Sequence, residues 1–146
     1  MQTQININIA VDVVKALSEK TLEDNMYMMD NSAFGSVHQG TEKLRTECQP
    51  GQTIHWIVYA IDLQTPVTIK NITFISSDGE PQAENTESNN YSYTDNPDLK
   101  TWTGILPYMV CGKEYRYRLE LQMGEGKNSI MSIETPSLVW NGVYAE

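Results

Sequence analysis

Two histidines, two cysteines and scattered carboxylates are the groups of this chain best equipped for covalent or acid–base chemistry. His55 sits beside Trp56 inside an apolar alternation, and His38 lies in a stretch flanked by Gly35 and Gly40. A nucleophile needs a base beside it, and that base must itself be oriented. No spacing here selects such a set. A pairing of His38 with Cys48, or with a serine, is one that only the fold could create. The sequence has no Gly-x-Ser-x-Gly elbow and no Gly-x-x-x-x-Gly-Lys-Ser/Thr phosphate loop. Gly124-Glu125-Gly126 lacks the strand-then-helix setting of a dinucleotide site. Asp30, Asp62 and Asp95 have no defined separation for glycosidic chemistry and read as turn residues and solvated faces. The expectation is a protein that is not an enzyme, with no catalytic residues.

Metal and cofactor chemistry fare no better. The carboxylates are spread along the chain without a calcium-binding loop pattern, and no Cys-x-x-Cys or Cys/His cluster occurs. Cys48 and Cys111 read as small buried hydrophobes, although two thiols can also form one disulfide. Neither a metal nor a cofactor is expected. Carbohydrate recognition has better-suited residues. It places an aromatic ring under the apolar face of a sugar and surrounds it with amides and carboxylates. Asn89, Asn90, Tyr91, Tyr93, Asp95 and Asn96, followed by Trp102, supply those types. Asn90, Tyr91, Tyr93, Asp95, Asn96 and Trp102 are therefore the candidate ligand-binding residues.

Strands have to position these groups. Ile5, Ile7, Ile9, Val11 and Val13 alternate with polar or small residues, the period of a half-buried strand. Lys15 to Lys20 holds good helix formers, enough for one or two turns. Asn25 to Met29 reads as a strand ending in the polar turn Asp30-Asn31-Ser32. Its Met26 and Met28 share a face suited to core filling, whereas exposed methionines would make an adhesive surface. Leu44 to Cys48 is a short strand before the Pro50-Gly51 turn. Gln52 to Asp62 is apolar on both faces, which predicts a central strand covered on each side. Strands follow at Val67 to Ile75, Thr101 to Met109, Glu114 to Met123, Ser129 to Glu134 and Ser137 to Tyr144. Glu80 to Lys100 is almost free of aliphatic residues and reads as a long loop. About eight strands with at most one short helix predict an all-β antiparallel sandwich, jelly-roll or Ig-like, as one domain over residues 1–146.

Charge narrows the partners. The 146 residues carry 19 acidic and 10 basic side chains, a formal net charge of −9. Nucleic acid and anionic membrane surfaces are disfavoured, because their phosphates would be repelled at long range. Arg116 and Arg118 alternate with Tyr115 and Tyr117, as on the wet face of a strand. No apolar run approaches the ~20 residues that span a bilayer. The first residues show no basic region followed by an apolar one, so a cytoplasmic location is expected.

Several segments together resemble the bacterial PixA/AidA inclusion body protein family. They are Ile7 to Val14, Asp24 to Ser32, Gly40-Thr41 with Leu44 and Thr46, Gly51 to Trp56, Ala60-Ile61-Asp62, Trp102-Thr103-Gly104 and Tyr115 to Leu121. The end of the chain, Trp140-Asn141-Gly142-Val143-Tyr144, departs from the family's aromatic strand and Asp-Pro ending. The resemblance implies a non-enzymatic protein that accumulates in the cytoplasm, is regulated by cell density or phase, and has itself as its main partner. It supplies no catalytic residues. A face of low charge density with apolar edges would allow copies to pack, and the charge of −9 would oppose packing until salt screens it. The alternative is a lectin-like module with a carbohydrate as partner. An uncharacterised hydrolase is the remaining reading.

Overall fold

In the computed structural model the period-two runs become strands. The structure describes residues 3–33, 35–61, 65–75, 101–106, 109, 111–124, 129–140 and 142. In order, the elements are β1 (Gln4–Val11), α1 (Val13–Glu19), β2 (Met26–Asp30), β3 (Arg45–Glu47), β4 (Thr53–Ala60) and β5 (Val67–Ile75). They continue with β6 (Thr101–Ile105), β7 (Glu114–Met123), β8 (Ile130–Ile133) and β9 (Ser137–Val139).

The first sheet has the order β2-β1-β4-β6. Ile5, Ile7, Ile9 and Val11 of β1 are fully buried, as their alternation requires. The strand stops at Asp12, whose side chain accepts from the Lys15 backbone N–H at 3.2 Å and caps α1. Val13 and Ala16, three residues apart, form the buried side of that helix. Lys20, at φ 60°, ends it in the left-handed region. The helix thus begins at Val13, ahead of the Lys15 to Lys20 stretch favoured by propensity. The Asp12 cap turns the chain although Val13 and Val14 would suit a strand.

The second sheet runs β3-β9-β7-β5, with β8 also paired to β7. β8 and β9 take successive stretches of one β7 edge. Leu119 faces Ile133 and Arg116 faces Ser137, so β7 advances three residues while its partner advances four. Pro136 lies in that slip, where a residue without an N–H can stand. On the other edge of β7, the β5 register shifts between Ile69 and Asn71. The bulge at Lys70 moves the buried set from Val67 and Ile69 to Ile72 and Phe74, so β5 feeds one core despite its broken alternation.

The two sheets pack face to face around one core. Trp56 of β4 meets Tyr117 of β7 edge-on at 5.5 Å between ring centroids and Phe74 of β5 at 6.3 Å. The sandwich holds nine strands among the described residues, and it is mixed rather than purely antiparallel. β1 pairs with β4 in parallel over its whole length, and β3 pairs with β9 in parallel. Side-chain periodicity sets which face a strand buries. It carries no information on the direction of a neighbour distant in sequence.

A polar seam closes the side of the sandwich where β2 and β3 are the outer strands. The Asp30 carboxylate at the end of β2 accepts from Thr46 Oγ1 of β3 at 2.8 Å, from Gln39 Nε2 at 3.1 Å and from the Ser32 backbone N–H at 3.0 Å. Asn31 Oδ1 accepts from the Asn6 backbone N–H at 2.8 Å, and the Ser32 hydroxyl donates to the Glu47 carbonyl. The connection after Ser32 occupies both strand edges. Gly40 N–H donates to the Met28 carbonyl, and Val37 and Arg45 exchange both backbone bonds. The Asp30-Asn31-Ser32 turn therefore ties the sheets together and covers backbone that would otherwise be open to strand addition.

Candidate functional site

The outward positions of the first sheet form a surface unlike that of the second. Strand register places them in rows. Ala10 of β1 lies between Tyr27 of β2 and Tyr59 of β4. The next row is Met29, Asn8, Ile57 and Thr101. Below it lie Asn6, His55 and Thr103, then Gln4, Thr53 and Ile105. None of these side chains is Asp, Glu, Lys or Arg. Tyr27, Met29, Tyr59 and Ile105 are 39%, 45%, 44% and 62% exposed, and Ile61 just beyond β4 is 54% exposed. The outward side of the second sheet is charged by contrast. Arg118 pairs with Glu134 at 2.7 Å, and Arg116, Glu120 and Lys70 share its strands.

His55 favours its uncharged form. Partial burial holds its imidazole below the ordinary 6.5 of histidine, because the charged form loses hydration there. Its Nδ1 lies 2.7 Å from Thr103 Oγ1 on β6. β4 is central in its sheet, as its two apolar faces predicted. However, its second face is not covered by any described element, which corrects the expectation of cover on each side. The methionine cluster divides in the same way. Met26 and Met28 are fully buried, while Met29, one residue further along, points outward and is exposed.

The residues considered for covalent chemistry are placed apart. His55 faces outward from the first sheet, whereas Cys48 is in the core behind it. Cys48 Sγ contacts the Val139 carbonyl at 3.6 Å, and burial pushes its thiol up to about 12. A thiolate nucleophile requires the opposite shift. His38 is exposed, with φ 64°. Among the described residues, no three His, Cys, Asp or Glu side chains cluster as a metal site. Cys48 and Cys111 are both free thiols, one buried and one exposed, so the two do not form a disulfide. A thiol-specific reagent is expected to label Cys111 alone in the folded chain and both cysteines after denaturation. Two labels on folded protein would contradict the burial of Cys48.

Of the candidate sugar-binding residues, Trp102 is described and lies in β6 opposite Trp56. Trp102 is 7% exposed and belongs to the core, so its ring has little face to offer a sugar. Asn90, Tyr91, Tyr93, Asp95 and Asn96 lie outside the described residues. The sequence reading did not single out Ala10, Tyr27, Met29, Ile57 and Tyr59 as a site. Their signal was present in the two-sided apolarity of Gln52 to Asp62 and in the methionine-rich second strand.

A family model for a domain of unknown function, DUF8788, matches residues 3–129. The chain belongs to that family. No curated protein matches this DUF8788 chain. Its fold is similar to that in the crystal structure of an inclusion body protein, PixA, from Burkholderia cenocepacia J2315. The TM-score is 0.56, and the match covers 96% of this chain and 92% of that one. Identity over the match is 8%, so the two share a fold. The PixA/AidA resemblance of the sequence thus returns as a likeness of architecture, while the matching family model bears a different name. No helix among the described residues is long and apolar enough to cross a membrane.

Proposed function

We propose that this DUF8788 domain is a non-enzymatic, self-associating protein of the bacterial cytoplasm, of the inclusion-forming kind. The observation that carries this reading is the uncharged, partly apolar outer face of the first sheet in a chain of net charge −9. Exposed apolar side chains gathered on one uncharged face are typical of surfaces that bind a partner. The likeness of fold to a protein titled an inclusion body protein supports the same reading, as does the sequence resemblance to the PixA/AidA family. That resemblance also favours expression tied to cell density or phase. Sedimentation velocity on the full chain, from micromolar to millimolar concentration, is the test. The weight-average sedimentation coefficient is expected to rise with concentration. A strict monomer at every concentration and salt would overturn the proposal.

A further inference from the structure

We infer that copies of this chain meet through the outer face of the first sheet, packed face to face as an isologous pair whose two-fold axis passes between the row of Tyr27, Ala10 and Tyr59 and the row of Met29, Asn8 and Ile57. The inference rests on the self-association proposed above and assigns it a surface. Three observations select a second copy as the occupant.

The first is charge. Each copy carries −9, so approach through most of the surface is opposed by like charges. At the outward positions within the four strands no carboxylate, lysine or arginine intervenes, and Asp12, just past β1, is engaged in capping α1. A basic partner would be drawn to acidic surface elsewhere, whereas a second acidic copy can approach closely where charge is absent.

The second is shape. Tyr27 and Tyr59 are two strands apart, about 10 Å, with the single methyl of Ala10 between them. Two rings flanking a small residue leave a notch, and Met29 and Ile57 in the adjacent row provide side chains of a size to fill one. Notch and filler on the same patch are self-complementary, as a two-fold contact requires.

The third is the state of the edges. Bonds from Gly40, Val37 and Gln39 engage the outer backbone of β2 and β3. Strand addition at those edges is therefore blocked, which leaves face packing as the route on that side. Two strands of eight residues and two of five, at ~4.8 Å by ~3.3 Å per residue, give a footprint of about 400 Å² per copy. Two copies bury about 800 Å², an area typical of weak, transient contacts. The pairing is accordingly weak and concentration-dependent, and it tightens with added salt as repulsion is screened.

The experiment compares the full wild-type chain with Tyr59→Glu, Met29→Glu and Ile130→Glu by sedimentation equilibrium at low and high salt. Ile130 is an exposed residue of β8 in the second sheet and serves as the control. Circular dichroism confirms folding, and two face variants guard against one failing to fold. The expected result is association in wild type and Ile130→Glu, strengthened by salt, and weakened about 30-fold or more by either face variant. Association unchanged in both face variants would overturn this surface and leave self-association standing. A wild type that stays monomeric would overturn both proposals. A monomeric wild type whose glycan-array signal is lost in Tyr59→Glu would make the face a carbohydrate surface instead.

Discussion

Trp56→Ala is expected to lower the unfolding free energy by about 3–5 kcal/mol. Trp56 is 1% exposed and stands on a central strand of the first sheet. Its indole bridges the two sheets, edge-on to Tyr117 and tilted against Phe74. Its Nε1–H also donates to the Tyr117 hydroxyl at 3.2 Å, and Tyr117 is fully buried. Truncation therefore opens a cavity and removes the hydroxyl's donor together. Tyr117→Phe separates the two effects. It keeps the packing and leaves a buried indole N–H without its acceptor, at a cost of about 1–3 kcal/mol. Urea denaturation measures both. A single domain has only about 5–15 kcal/mol in all, so Trp56→Ala moves the midpoint far towards zero. A loss under about 1 kcal/mol would mean that the sheets do not rely on this contact.

Asp30→Ala is expected to cost about 2–4 kcal/mol, because its carboxylate receives three hydrogen bonds at the seam between sheets. Thr46 is fully buried, so its hydroxyl has no access to water once Asp30 is truncated. Thr46→Val removes the donor as well. A double-mutant cycle of the two should show a coupling of about 1 kcal/mol or more. Additive effects would disprove the bond. The loss should also be local. Amide exchange at Gly40 and Arg45, whose N–H groups bond Met28 and Val37, should accelerate more than exchange in β7. Uniform acceleration would show that Asp30 supports the whole fold rather than this seam.

The two strands with the clearest composition, Val67 to Ile75 and Glu114 to Met123, have the same bounds in sequence and structure. β-branched and aromatic residues with turn signals at their ends are local information, and local information sets strand position. The Asp-Asn-Ser segment was legible only as a turn. Its role as a seam depends on Thr46 and Gln39, which approach it only after β3 and its connection have folded back. The candidate sugar site shows the same limit. Trp102 had a suitable residue type, yet its parity in β6 turns the ring into the core opposite Trp56. Residue type cannot report which face of the sheet is buried when both Trp102 and Thr103 suit a strand.

What the sequence determined by itself is the class: a strongly acidic, strand-rich chain whose alternating residues fill one core, with no spacing that builds a catalytic or metal site. Those properties are sums or short periods, and they survive without knowledge of neighbours. Only the tertiary structure decided which strands lie side by side, that β1 and β4 run parallel, and that Cys48 and Cys111 stay apart. It also decided that no described element would cover one uncharged face. Register across β2, β1, β4 and β6 brings Tyr27, Ala10 and Tyr59 into one row from three distant segments. Hydrogen bonds between strands far apart in sequence create that row, and no pattern within a single strand encodes it.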